Sequence, residues 1–521
     1  MGEILRSIYL YVRLLFDLAI DFIFSIYWER NKRTVPDLDK QHALLAESAV
    51  TLAKKIRQKE LKSEDLVRAV IERIEVVNPT INAIADERYE AALTEAREVD
   101  ALIENGLPED VAFRKPFLGV PFTSKECQAV KGLALTMGLW CRRNEIAEED
   151  SEGVKRLQDA GAIIVATTNI PEVLGWQETR NPVYGMTNNP HHSGRTCGGS
   201  SGGEAALAAS CGTVISLCSD IGGSTRIPSF YCGLFGHHPT PGTTNLRGLF
   251  FRSGEDQDSM LALGFISKHV EDLAPLTKIV AGDKADLLKL DRNINIKDIK
   301  FYYMETSKDL MVSSIRADLR EAMKRVLTKI SQQTTSTENA PKPYYHRGFD
   351  HMYSIWKHWL TKEPDHLPTI CTNKKGHANG LIEIIKKAVG MSHYCLFTIL
   401  RLIEEQCLPK VDPEWAEKIS KEMKEDLYSK LGDNGVLLMP SAPQVAPYHY
   451  SCFLRPYNFT YWAVVNALKC PATQVPLGVN AQGLPLGIQV VAAPYNDALC
   501  LTVADYLSKE FGCSVIACKL K

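Results

Sequence analysis

The residues able to do chemistry crowd between Cys197 and Thr240. Two glycine–hydroxyl clusters, Gly198-Gly199-Ser200-Ser201-Gly202-Gly203 and Ile221-Gly222-Gly223-Ser224, flank a run of small apolar residues. Glycine is entropically costly to order, so such density has a use where backbone crowds a ligand or aims several N–H donors at one point. A glycine-rich turn in an ordinary α/β core would explain one cluster. Two of them, each with serine at its centre, point to hydroxyl chemistry beside backbone donors. A serine hydroxyl is a weak nucleophile until a base accepts its proton. Thirteen histidines leave a histidine base open by inventory, but Ser224 lacks the GxSxG elbow of the α/β-hydrolases. The glycines before Ser200 do not form GxGxxG, and neither cluster ends in Gly-Lys-Ser/Thr, which speaks against nucleotide binding. His191-His192 and His237-His238 lack the i,i+4 helical spacing of a zinc site and have no accompanying Cys or Asp cluster. No metal and no cofactor is expected.

The same residues resemble the signature of the amidase signature family of serine hydrolases. There the first serine of GGSSGG and the serine of DIGGS are catalytic, and a lysine lies well before them. Residues 116–126 read PFLGVPFTSKE, with Lys125 at the lysine position. The resemblance runs from about residue 45 to residue 521. Within the family it is strongest to the membrane-associated fatty-acid amide hydrolases of animals, the second type in particular. It implies Ser224 as nucleophile, Ser200 as proton bridge in a cis-serine position, and Lys125 as base. It also implies an oxyanion hole from the N–H groups of Ile221, Gly222, Gly223 and Ser224. Lys125 must then be neutral for part of the cycle, whereas an unperturbed lysine is charged at pH 7. Burial beside Phe117, Val120 and Phe122 would lower its pKa. Asp220 and Arg226 bracket the loop, as positioning groups or as a plain internal ion pair.

The sequence departs from the family pattern at Ser219 (often threonine), at Thr225 (often isoleucine), at Gly236-His237-His238-Pro239-Thr240 (usually GxKPT) and at Gly264-Phe265 (often Gly-Pro). No triad member is lost, and a reshaped acyl pocket stays open. The implied reaction is hydrolysis of a long-chain fatty amide, or an ester, to fatty acid and amine, with a homodimer as the family's assembly. The alternatives are an enzyme for a polar amide, an amidotransferase subunit, and a catalytically silent membrane scaffold or lipid-binding protein.

The elements that must position these groups follow from pattern. The chain has 521 residues and a net charge of −2, which allows a large core and does not suggest a nucleic-acid partner. Its fourteen cysteines are scattered, without CxxC spacing, which favours free thiols. Residues 8–27, IYLYVRLLFDLAIDFIFSIY, have the length of a membrane span, but Arg13, Asp17 and Asp21 form one polar stripe. A signal anchor, an interfacial helix and an amphipathic helix packed on the body all fit. With the resemblance, the expectation is an N-terminal membrane segment at 1–33. It would hold a catalytic domain at 45–521 on an intracellular membrane, either endoplasmic reticulum or lipid-droplet surface. Ser48 and Ser63 cap helices reaching Lys59 and Val77, the second stopped by Asn78-Pro79. A third helix spans 85–104. Strand patterns at 118–122, 162–167, 436–440 and 488–491 alternate with helical ones, predicting an α/β fold with a central mixed sheet sandwiched by helices. A buried helix begins at the first glycine cluster. Residues 330–350 read as a polar surface excursion. Residues 380–405 are apolar around much of a helix, fitting a core helix pair or a membrane-facing cap. The sequon Asn458-Phe459-Thr460 sits in an apolar-aromatic run and reads as unused.

Overall fold

The computed structural model describes residues 3–520 apart from 109, 251, 253, 255–257, 334–339, 365 and 513. One eleven-stranded sheet organises the chain. Its strands in chain order are β1 (Ile84–Glu87), β2 (Pro121–Lys125), β3 (Ile163–Thr168), β4 (Ile215–Asp220), β5 (Phe235–His238), β6 (Ala262–Ser267), β7 (Lys300–Tyr303), β8 (Lys342–Pro343), β9 (Gly435–Pro440), β10 (Ala472–Val479) and β11 (Pro485–Ala492). They lie in the order β1-β3-β2-β4-β6-β5-β10-β11-β9-β7-β8. β2 runs parallel to both β3 and β4, the centre is antiparallel, and β7 is parallel to β8 and β9. The sheet is thus mixed and flanked by helices, as the alternation predicts. Central strands β2, β3, β4 and β6 are buried at every residue, the pattern of a sheet covered on both faces.

Boundaries differ where turn chemistry overrides hydropathy. β2 begins at Pro121 because Gly119 adopts a left-handed φ of 76° and the Val120 N–H closes a turn on Phe117 O at 3.0 Å. Lys125 therefore ends the strand. The helix predicted to stop at Asn78-Pro79 continues to Ile81 and ends at left-handed Asn82. Asn78 Oδ1 accepts from Ala83 N (2.7 Å) and Ile84 N (3.1 Å), satisfying the donors beyond the helix. The start of the predicted 85–104 helix is instead edge strand β1, and the helix proper is Tyr89–Glu104. The 330–350 stretch is not all surface: β8 joins the sheet edge and Tyr344 and Phe349 are buried, while 334–339 lie outside the described residues.

The N-terminal expectation is overturned. Residues 8–27 belong to α1 (Glu3–Trp28), yet no helix among the described residues is long and apolar enough to cross a membrane. The reason is the charged stripe, whose Asp21 the protein body pairs and whose Arg13 and Asp17 pair within the helix. Asp21 pairs with Arg455 at 2.8 Å and with Arg316, and Asp17 is 2% exposed beside Arg13. Past the helix end, Glu29 accepts from Tyr448 Oη (2.6 Å) and meets His192 Nε2 (2.9 Å), while Trp28 packs on His449 and Tyr450. Of the readings open in sequence, the helix packed on the body is the observed one. The transmembrane helix, the membrane partner and the endoplasmic-reticulum or lipid-droplet location are withdrawn with the span.

The helices that matter for the site are α2 (Gly202–Ala209), α3 (Arg226–Cys232), α4 (Met352–Leu360), α5 (Gly380–Ala388), α6 (Leu396–Cys407) and α7 (Thr460–Ala467). The 380–405 region is a helix pair, α5–α6, of which only α6 contributes to the interior: Leu381, Ile385, Val389 and Met391 are exposed, whereas Phe397, Ile399 and Leu402 are buried. Asn458 is buried, with its amide donating to Ser313 Oγ at 3.1 Å.

Candidate active site

Because β2 and β4 are parallel neighbours, their carboxyl ends lie on one edge of the sheet. That edge is where ligands bind in open α/β sheets. β2 ends in Lys125 and β4 ends in Ser219-Asp220. On β2, alternation puts Thr123 and Lys125 on the same face. Thr123 Oγ1 donates to Glu204 of α2 at 2.6 Å, and Lys125 Nζ lies 2.7 Å from Ser200 Oγ. The two glycine clusters meet here as well: Ser201 N donates to Ser224 O at 3.1 Å. The peptide bond between Gly199 and Ser200 is cis.

Lys125 is 0% exposed. Burial pushes its pKa down, opposed by Cys127, Cys218, Asp220 and Glu204. Nζ contacts three oxygens: Ser200 Oγ at 2.7 Å, Ser219 Oγ at 3.0 Å and Ser219 O at 3.2 Å. An ammonium can donate to all three. A neutral amine keeps two N–H groups for Ser219 and turns its lone pair to the Ser200 hydroxyl. Losing one proton therefore converts Lys125 from donor to acceptor toward Ser200 without moving a heavy atom. The nearby Glu204 carboxyl also accepts from Thr168 Oγ1 at 2.9 Å, and burial pushes its pKa up to about 7.

The second cluster turns sharply from β4 into α3. The Asp220 and Arg226 side chains are both buried, with Arg226 Nε 3.0 Å and Nη2 3.1 Å from the carboxylate. Burial raises the Asp220 pKa, but Arg226, His238 and Asn466 overcome it and hold the carboxyl well below the usual carboxylate range. Arg226 also reaches Gln489 Oε1 (2.8 Å) and Asn466 Oδ1 (2.6 Å), tying the loop to β11 and α7. Asp220 Oδ1 accepts the Gly223 N–H at 2.7 Å and Oδ2 the Thr225 N–H at 3.2 Å. Asp220 and Arg226 thus form an internal ion pair that also shapes the loop. One of the four expected oxyanion donors, Gly223, is spent internally. Among the described residues the N–H groups of Ile221, Gly222 and Ser224 make no hydrogen bond, nor does Ser224 Oγ. Ser224 is 8% exposed against 1% for Ser200, so its hydroxyl is the more accessible.

Lys125, Ser200, Ser224 and the 220–226 loop are therefore brought together. A hydrogen bond joins Lys125 to Ser200 but none joins Ser200 to Ser224, a gap of the kind that closes when substrate binds. Sequence reasoning missed three contributors. In sequence Ser219 reads as a mild departure, although its hydroxyl, shared with the family's threonine, is the available signal. Glu204, a lone carboxylate in an alanine-rich buried helix, was visible in the pattern. Trp356, 135 residues beyond Ile221 and bonded to its carbonyl, carried no local signal. His237 and His238 serve as packing polar groups: His237 Nδ1 meets Thr473 Oγ1 at 2.9 Å, and burial lowers the His238 pKa to about 3. No group of three or more His, Cys, Asp or Glu able to hold a metal occurs among the described residues.

A buried lysine, a serine against it and a second serine beside free loop N–H groups, all at the carboxyl edge of a mixed sheet, form a lysine–serine centre on an α/β scaffold. The chain belongs to the amidase signature family: the Amidase family pattern matches residues 65–501. It is 39% identical over 482 residues to fatty-acid amide hydrolase 2 of Homo sapiens, covering 90% of both chains. It is 37% identical over 481 residues to fatty-acid amide hydrolase 2-B of Danio rerio, again covering 90% of each. A solved fatty acid amide hydrolase superposes with a TM-score of 0.72 at 20% identity, spanning 91% of this chain and 87% of that one, and shares the fold. The protein is thus an amidase-signature hydrolase, of the class acting on carbon–nitrogen bonds.

Proposed function

We propose that the protein hydrolyses fatty-acid amides through Ser224, Ser200 and Lys125. The observation that carries the reading is the wholly buried Lys125 amine, held 2.7 Å from Ser200 Oγ with its pKa lowered by burial. Neutral Lys125 takes the Ser200 proton as Ser200 takes that of Ser224, whose Oγ attacks the amide carbonyl. The N–H groups of Ile221, Gly222 and Ser224 receive the oxyanion; one such donor is worth about 2.7–4 kcal/mol in a comparable enzyme. The relay returns a proton to the departing amine, and water cleaves the acyl-enzyme.

Two features support a fatty acyl group over a polar one. A satellite cluster of buried residues including Met137, Leu139, Ile170, Leu246, Leu249 and Leu263 packs against Ile221, so the oxyanion loop has apolar neighbours on that side as well as on the side of the main core. The relatives at 36–39% identity are fatty-acid amide hydrolases. The test is a fluorophosphonate probe followed by an acyl-chain series. Wild type should be labelled and Ser224→Ala should not. kcat/KM should rise from acetyl to long-chain amides of one amine. Labelling undiminished in Ser224→Ala rejects this nucleophile; a preference for short or polar acyl groups rejects the fatty substrate while leaving the amidase.

A further inference from the structure

The Trp356 indole lies against the oxyanion loop. Its Nε1–H donates to Ile221 O at 2.9 Å. A Cβ on Gly222 would fall 3.0–3.1 Å from ring atoms Cζ2, Cε2 and Nε1, so a side chain there would press on the ring. The ring is 5% exposed. Phe459 meets it edge-on at 5.1 Å, Tyr353 packs at 6.2 Å, and the Arg401 guanidinium lies 5.8 Å from its centre. The indole is thus a fixed donor supplied by α4, outside the glycine–serine core.

Peptide geometry gives this contact a consequence. Ile221 C=O and Gly222 N–H belong to one trans peptide unit and point in opposite directions. Holding the carbonyl on the indole turns the Gly222 N–H away from Trp356. The next unit is pinned separately, by the Gly223 N–H on Asp220 Oδ1 at 2.7 Å. Without the indole, the 221–222 peptide has a glycine on one side and nothing holding its oxygen. Building on the acyl-transfer reading above, we propose that Trp356 is a positioning residue that orients the Gly222 N–H toward the oxyanion. It touches no reacting atom, and its hydrogen bond contributes to transition-state stabilisation, not to substrate affinity.

The test compares a lipid trifluoromethyl ketone with the matching carbinol. In the ketone complex Ser224 Oγ bonds to the carbonyl carbon, the C=O pair moves to oxygen as an oxyanion, and the serine proton passes to the Ser200–Lys125 relay. The carbinol fills the same acyl space and forms no oxyanion. Trp356→Phe keeps an apolar plate and removes the N–H. Its kcat for a fatty amide should fall about 10–100-fold, less than the ~100–1,000-fold for outright loss of a donor, with KM within a few-fold. Ketone affinity should fall in parallel, and carbinol affinity should hold. Replacing the indole with its benzothiophene isostere, which keeps shape and lacks the N–H, should reproduce the split and carries the test should Trp356→Phe not fold. Retention of kcat and ketone affinity in both variants, or equal loss of ketone and carbinol binding, overturns the proposal in favour of plain packing. If wild type itself binds the ketone no more tightly than the carbinol, the acyl-transfer reading fails and the proposal falls with it. If wild type discriminates and the variants discriminate equally, only the role of Trp356 is lost.

Discussion

The glycine–serine centre and the N-terminal helix α1 bury charge in opposite ways. In the centre, Lys125, Asp220 and Arg226 are wholly buried and their contacts are supplied by the residues that build the site. The lysine faces only neutral hydroxyl and carbonyl oxygens at hydrogen-bond distance, whereas Asp220 faces a guanidinium. One group is thereby pushed toward neutrality and the other held charged, the separation of pKa values that an acid–base site needs. In α1 Asp21 of the charged stripe turns inward onto Arg316 and Arg455 and Asp17 is buried beside Arg13, while Leu5, Ile8, Val12 and Ile23 face outward. Its polar face is its docking face. The difference teaches that burial perturbs a group for chemistry only where no opposite charge meets it. Where one does, burial makes a joint.

The largest expected effect breaks the lysine half of that contrast. Lys125→Ala should lower kcat/KM for a fatty amide by ~100 to 10,000-fold while an activated ester suffers less, because its leaving group departs without the returned proton. Lys125→Arg should not rescue, since guanidinium stays charged. Wild-type amide turnover should rise with pH as Lys125 loses its proton, at a pKa below the ordinary lysine value, and that limb should vanish in the alanine variant. Stability should carry the same signature. Because the folded pKa is depressed, the native state binds fewer protons than the unfolded chain between the two pKa values, so stability rises with pH across that window. Lys125→Met should flatten that rise in urea titrations between pH 7 and 10. Full amide turnover with unchanged pH dependence in Lys125→Ala would reopen a histidine base.

Breaking the paired half should cost structure instead. Arg226→Met leaves Asp220 buried and uncompensated, a loss of ~3–5 kcal/mol in chemical denaturation. The cost should shrink as pH falls far enough to protonate Asp220. A loss under 1 kcal/mol at pH 7 would mean that the Asn466 and backbone contacts suffice.

The smallest effects belong to α1. Asp21→Asn removes the carboxylate facing Arg455, which is 1% exposed but keeps Gln444 and Ser451 as partners. The expected loss is ~1–3 kcal/mol, with kcat unchanged. Ile23→Ser on the outward face should move stability by no more than about 0.5 kcal/mol. Equal losses from the two would reverse the assignment of faces, and a fall in kcat with Asp21→Asn would tie α1 to the site.

The site was legible in sequence to the extent that it depends on backbone type. Only glycine tolerates the packing at Gly222 and Gly223, whereas a lysine after a strand is by itself an ordinary surface residue, and Lys125 is legible only through the family resemblance. With the family resemblance, the sequence determined the fold class, Lys125, Ser200 and Ser224 as candidates, the Asp220–Arg226 bracket and strands β2, β3, β9 and β11, but not β4, β5, β6 or β10 at the centre of the sheet. Tertiary structure alone decided which way α1 faces, since hydropathy counts apolar residues without saying what the polar stripe meets. It decided that Asp220 consumes the Gly223 N–H, and that Ser219 completes the contacts of Lys125. It brought Trp356 across 135 residues to the Ile221 carbonyl. Each depends on directional contacts between segments remote in the chain, and residue spacing carries no direction until the sheet has closed.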